Sequence, residues 1–148
     1  MIYLDSSAVL KLVTTEAESD ALEDWLVERR DTPVVSSALT QVEVVRACRR
    51  MDKDLLPAAR RLLRGFDLLP LDASILDAAA ELPTRVLRSL DALHLASALS
   101  LDPDLETFVA YDDRLLTAAG AAGLAVARPG VRPPEAGGLH RHPGSGAR

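Results

Sequence analysis

The chain has 148 residues, 48% of them hydrophobic, with 22 Asp and Glu against 17 Lys and Arg for a formal net charge of −5. That length suits one domain with a single core, and the acidic balance argues against nucleic-acid binding through a broad basic surface. The lone Cys48 excludes an internal disulfide framework and a multi-cysteine zinc site, and fits a reducing cytoplasm. The start, with an acid at Asp5 and no basic region, does not read as a signal peptide. The longest late uncharged run, Leu115–Ala127, has 13 residues, short of the roughly 18 that a membrane span needs.

In chain order, Ile2–Leu4 reads as a strand, and Ser6–Val13 and Glu18–Arg30 as helices. Pro33–Ser36 is a second strand, followed by a helix from Thr40 to about Arg50. Leu55–Phe66 is helical, with Arg60, Arg61 and Arg64 on its polar side. Leu68–Leu71 is a third strand, Ser74–Leu82 a helix closed by Pro83, and Ser89–Leu101 a helix ended by Asp102-Pro103. Thr107–Ala110 is a fourth strand, Asp113–Ala122 a helix, and Leu124–Ala127 a fifth strand, with Gly120 and Gly123 fitting the turn between them. Short apolar strands separated by helices predict an α/β fold with a parallel sheet covered on both faces. From Pro129 the character changes. Nine of the last 20 residues are Gly or Pro, so 129–148 is expected to be a disordered tail and 1–128 the folded domain. His140 and His142 lie in that tail without acidic or Cys partners. The tail takes three arginines and one glutamate, leaving the domain 14 basic and 21 acidic residues, net −7.

Ligand sites in open α/β sheets lie beyond the carboxyl ends of the strands, and four acids stand at such junctions. Asp5 and Asp112 directly follow apolar runs, while Glu43 and Asp91 open helices. Each has a structural role open to it. Asp5 and Asp112 are good N-caps. Thr40-Gln41-Val42-Glu43 has the pattern of a capping box, and Asp91 suits the positive end of a helix dipole. Together they read differently, because a doubly wound sheet brings its helix N-termini to one edge. Two carboxylates ~5 Å apart repel by ~3 kcal/mol at an effective dielectric of ~20, so four must shed charge or bind a cation. An oxygen-only cluster suits Mg²⁺ or Mn²⁺. Mg²⁺ keeps waters, leaving room for phosphate oxygens and an attacking water, which is a phosphoryl-transfer site in outline.

Four segments, in this order, resemble the PIN domain and specifically the VapC-type toxins of bacterial toxin–antitoxin pairs. They are Ile2-Tyr3-Leu4-Asp5-Ser6-Ser7, Ser36-Ser37-Ala38-Leu39-Thr40-Gln41-Val42-Glu43, Leu90-Asp91-Ala92-Leu93-His94-Leu95-Ala96-Ser97-Ala98, and Phe108-Val109-Ala110-Tyr111-Asp112-Asp113-Arg114-Leu115. The resemblance covers residues 1 to about 128. It implies a three-layer fold of four or five parallel strands with about seven helices, and a Mg²⁺-dependent ribonuclease acting on structured RNA of the tRNA or rRNA class. Asp5, Glu43, Asp91 and Asp112 then form the acidic site, with Asp5, Asp91 and Asp112 on the metal and products ending in 3′-hydroxyl and 5′-phosphate. It further implies a homodimer and inhibition by a cognate antitoxin. The family commonly has Thr or Ser two residues before its fourth acid, where this chain has Ala110. Asp113 is therefore an alternative to Asp112, and the end of the strand favours Asp112.

Secondary candidates surround the four acids. His94 is three residues from Asp91 on one helix face, within reach of the site or else packed in a half-buried seam. Ser7 follows the first acid and could place a water or phosphate. Arg46, Arg49, Arg50 and Lys53 share one helical face beyond Glu43, either a solvated surface or a track for the RNA backbone. Cys48 reads as a small buried hydrophobe. A small-molecule phosphohydrolase using the same acids is the rival enzyme, disfavoured by that basic face and the absence of a Gly-rich phosphate loop. A receiver-type signalling domain needs paired acids after its first strand and a late Lys. Here Asp5 stands alone and no Lys follows Lys53.

Overall fold

The computed structural model of the chain describes residues 1–132. Residues 133–148, with most of the expected tail and both His140 and His142, lie outside the described residues. Five strands, β1 (Ile2–Leu4), β2 (Val34–Ser37), β3 (Asp67–Leu69), β4 (Thr107–Val109) and β5 (Val126–Ala127), alternate with helices. These are α1 (Ser6–Lys11), α2 (Ser19–Val27), α3 (Ala38–Met51), α4 (Leu56–Leu63), α5 (Ala73–Ala80), α6 (Ser89–Leu99) and α7 (Asp113–Ala121). A 3-10 turn at Lys53–Leu55 leads into α4. Each strand overlaps the run expected for it. Among the described residues no helix is long and apolar enough to cross a membrane.

All strand pairs are parallel, in the order β3-β2-β1-β4-β5. The chain starts at the centre, steps outward through β2 and β3, and returns to lay β4 on the other side of β1. The order therefore reverses between β1 and β4, and a crevice opens beyond their carboxyl ends. Side chains alternate across a strand, which divides the core in two. Ile2, Leu4 and Val109 join Val9, Leu22, Val44, Cys48 and Leu63 on one face. Tyr3, Val35, Phe108 and Ala110 join Leu95, Ala98, Leu115 and Ala119 on the other. Cys48 is fully buried, as the sequence led us to expect. Phe108 stacks on Tyr3 with ring centroids 5.3 Å apart. Burial on both faces is why the strands read as continuous hydrophobic runs, and each large side chain so buried contributes about 1.5–3 kcal/mol.

Every strand-to-helix junction on the carboxyl edge of β1 to β4 carries a capping residue. Asp5 accepts the Ala8 amide at 2.9 Å, Ser37 the Leu39 amide at 3.1 Å, Asp72 the Ile75 amide at 3.0 Å and Asp112 the Leu115 amide at 2.9 Å. These bonds satisfy helix N–H groups that have no intrahelical partner. Gly123, at φ +92°, provides the left-handed turn between α7 and β5. Past β5, the Tyr111 hydroxyl donates to the Pro129 carbonyl at 2.7 Å. Gly130, at φ +85°, lies so close to α2 that an added Cβ would stand 3.0 Å from Ala21 Cβ.

Candidate active site

Asp5 leaves the end of β1 with its amide donating to the Val109 carbonyl of β4 at 3.1 Å, so strand pairing fixes its backbone. Its side chain is buried, and Oδ1 accepts both the Ala8 amide and, at 2.6 Å, the Ser7 hydroxyl. The Ser7 oxygen in turn accepts the Tyr111 amide at 2.9 Å. Ser7 thereby ties the first acid to the segment that delivers Asp112. Ala110, two residues before Asp112, is fully buried in the apolar core. Burial pushes the Asp5 carboxyl up to about 6, against the charge of His94 and the hydrogen bonds from Ser7 and Ala8.

Glu43 corrects the capping-box expectation. Ser37 caps α3, which starts at Ala38, so Thr40 is inside the helix and Glu43 lies too far along it to bond back to a capping amide. Thr40 is instead buried, 2.6 Å from the Ser36 hydroxyl, which donates to the Leu4 carbonyl. Glu43 reaches across the fold: its Oε1 accepts the Ser6 hydroxyl and His94 Nε2, each at 2.7 Å. Burial opposes ionisation of Glu43, yet the bonds from His94 and Ser6 outweigh it and hold the carboxyl below its usual value.

His94 is 3% exposed, in α6, and its partner is Glu43. The Tyr3 hydroxyl meets Nδ1 at 2.8 Å. Burial, and then the charge of Asp5, hold that hydroxyl well above its usual pKa, and the Glu43 carboxylate accepts from Nε2–H. Both ring nitrogens are engaged within the fold.

Asp91, in the first turn of α6, and Asp112, at the head of α7, complete the group. Glu43, Asp91 and Asp112 line one depression of about 380 Å³, with Arg88 and Arg114 also on its wall. Asp5 is close enough to Glu43 for their charges to interact. Asp113 faces elsewhere: it pairs with Arg128 and lines a neighbouring depression with Thr117. The geometry therefore groups Asp112, not Asp113, with Glu43 and Asp91.

One oxygen of Asp5, of Glu43 and of Asp112 is tied by an internal donor, and no hydrogen bond among the described residues ends on the other. Free carboxylate oxygens without sulfur or free imidazole are the donor set of a hard cation. Among the described residues no three His, Cys, Asp or Glu side chains stand where together they could hold a metal ion; the free oxygens suit a hard cation that takes few carboxylates and completes its shell with water.

The basic face beyond Glu43 divides. Arg46 and Arg49 line a groove of about 820 Å³ between α3 and α4, where Arg60 and Arg64 join them above Val45, Leu63 and Phe66. Arg50, in the last turn of α3, and Lys53 are exposed and do not line it, and extended Asp52 (φ −160°) ends α3 before Lys53. Ser6, Tyr3, Arg88 and Arg114 are site residues that no local pattern marks. The available signals are slight: Ser6 follows Asp5, and the two arginines lie three residues before Asp91 and two after Asp112.

A parallel α/β sheet with acids gathered at its switch point is the arrangement of the PIN domain. Residues 2–121 match the family model described as PIN domain, and the chain belongs to that family. Within it, the chain is similar to the VapC group. It is 48% identical over 133 residues to Ribonuclease VapC35 of Mycobacterium tuberculosis, an alignment spanning 88% of this chain and 98% of that protein. The fold is shared with VapC20 of Mycobacterium tuberculosis, described as a Sarcin-Ricin loop cleaving toxin, at TM-score 0.65 and 20% identity over 90% of this chain and 100% of that one. It is shared too with a toxin-antitoxin complex from Klebsiella pneumoniae, at TM-score 0.65 and 22% identity over 86% of this chain and 96% of that one.

Proposed function

We propose that the chain is a Mg²⁺-dependent endoribonuclease, the toxin of a toxin–antitoxin pair, that hydrolyses phosphodiesters of structured RNA of the tRNA or rRNA class in the cytoplasm. The observation that carries this reading is the convergence of Glu43, Asp91 and Asp112 on one depression, with Asp5 electrostatically coupled to it. Membership of a family that includes named ribonucleases supports it.

Asp5, Asp91 and Asp112 would hold the ion, for which Mn²⁺ can substitute, with Glu43 completing the cluster directly or through waters. When bound, the ion lowers the pKa of a coordinated water and neutralises charge at the phosphate. The protein supplies position. Ser7 and the Ala8 amide hold Asp5 by one oxygen. Ser6 and His94 keep Glu43 ionised and leave Oε2 to accept a proton. The N-terminal ends of α6 and α7 add partial positive charge beside Asp91 and Asp112. Arg46, Arg49, Arg50 and Lys53 contact the RNA backbone. The antitoxin inserts an Arg that forms bidentate pairs with these carboxylates, and the active unit is a homodimer.

Total cellular RNA incubated with purified protein and Mg²⁺ tests this. Wild type yields new 5′-phosphate ends, and Asp5→Asn and Asp91→Asn cut at least about a hundredfold more slowly, as expected when several kcal/mol of metal stabilisation is lost. Either variant cutting at the wild-type rate contradicts the assignment.

A further inference from the structure

The acidic depression has two arginines on its wall that neither the four-acid reading nor the basic face beyond Glu43 uses. Arg88 occupies the residue before α6 in extended conformation, and its side chain makes no capping bond. Arg114 is the second residue of α7. Both are exposed, and both line the depression with Glu43, Asp91 and Asp112. No ion pair or side-chain hydrogen bond among the described residues involves either one. Asp113, next to Arg114, is instead paired with Arg128. Arg114 also borders the adjoining depression lined by Val86, Asp113 and Thr117, so it stands where one hollow passes into the next.

This placement meets a need that the acids create. A polyanion approaching carboxylates in a domain of net charge −7 is repelled unless cations face it locally. Guanidinium groups are suited to that task, because their planar fork bonds phosphate oxygens two at a time and remains charged at any working pH. We propose that Arg88 and Arg114 form a phosphate-binding pair, holding the RNA phosphodiesters that flank the one placed at Glu43, Asp91 and Asp112. The pair rests on the ribonuclease reading above. In it, Arg114 guides the strand from the acidic depression into the hollow beside Thr117, while Arg88 holds the strand on the α6 side.

The test is equilibrium binding of a fluorescein-labelled 16-nucleotide oligouridylate, followed by anisotropy in EDTA across 25–200 mM salt. EDTA prevents cutting and makes the readout independent of metal. Each single-strand phosphate contact contributes about 0.7 to the slope of log affinity against log salt. Arg88→Ala/Arg114→Ala therefore lowers the slope by about 1.4 and weakens binding at least about tenfold at 100 mM salt. Arg88→Lys/Arg114→Lys restores most of the slope, and Arg30→Ala, an exposed charge before β2 at the opposite sheet edge, changes neither quantity. Neither arginine is buried or bonded, so the variants fold as wild type does. The pair is refuted if wild type binds with a salt-dependent slope and the double alanine variant matches it within twofold in affinity. A loss equally large in Arg30→Ala also refutes it, since any positive charge would then serve. If wild type neither binds oligouridylate nor cuts total RNA, the ribonuclease reading itself fails, a result distinct from the other two.

Discussion

Asp5→Asn makes the metal-free protein more stable at pH 8, and its effect depends on pH. Asp5 is 5% exposed, and its carboxyl is raised from 3.8 to about 6 in the folded protein. The folded state thus binds this proton more tightly than the unfolded state does. Stability from the neutral acid is fully present below pH 3.8 and is lost as the pH rises through about 6. At pH 8 the buried charge costs about 3 kcal/mol, taking two pKa units at roughly 1.4 kcal/mol each. Asn keeps the geometry, since both internal donors reach Oδ1, which an amide oxygen replaces. Urea unfolding in EDTA at pH 4.5, 6 and 8 is the assay. The variant gains about 1 kcal/mol at pH 4.5 and up to about 3 kcal/mol at pH 8, the latter equivalent to a rise in Tm on the order of 10 °C for a chain of this size. Saturating Mg²⁺ narrows the gap, because only wild type recovers stability by binding it. A variant no more stable than wild type at pH 8, or a difference constant with pH, would refute the reasoning.

Other perturbations follow from the same contacts. His94→Ala leaves the buried Tyr3 hydroxyl and the Glu43 carboxylate short of a partner and costs about 2–4 kcal/mol in urea unfolding at pH 7. Because Glu43 is held below its usual pKa, its contribution is present above about pH 4.5 and is lost as pH falls, so the cost of His94→Ala shrinks at pH 3.5. Phe108→Ala removes a fully buried ring stacked on Tyr3 and costs about 3–5 kcal/mol by the same assay. The Cys48 thiol is fully buried and burial raises its pKa, so thiol reagents label it only after unfolding; rapid labelling of native protein would contradict this.

Local pattern carried much of this molecule. Apolar runs ending in Asp marked where β1 and β4 meet α1 and α7, and the same aspartates cap those helices at the carboxyl edge of the sheet. The capping-box motif misled because Ser37 caps α3 earlier than Thr40 could. Glu43 is then free to bond His94, 51 residues away, and Ser6, 37 residues away. Such pairings depend on the β2-β1-β4 order, which helical and strand periodicities do not encode. Helical spacing likewise placed Lys53 beside Arg46 and Arg49, but extended Asp52 breaks the helix first, and α4 supplies Arg60 and Arg64 in its place. Arg88 and Arg114 came into view only when α6 and α7 were set side by side at the sheet edge.

The central claim is that Glu43, Asp91 and Asp112, with Asp5, form an RNA-cutting centre. Mapping 5′-phosphate RNA ends in cells after brief induction, wild type against Asp91→Asn, tests it most directly. The account predicts sharp new ends in a small set of structured RNAs with wild type and none with the variant. The same ends at the same abundance from Asp91→Asn, or no new ends from wild type, would contradict it.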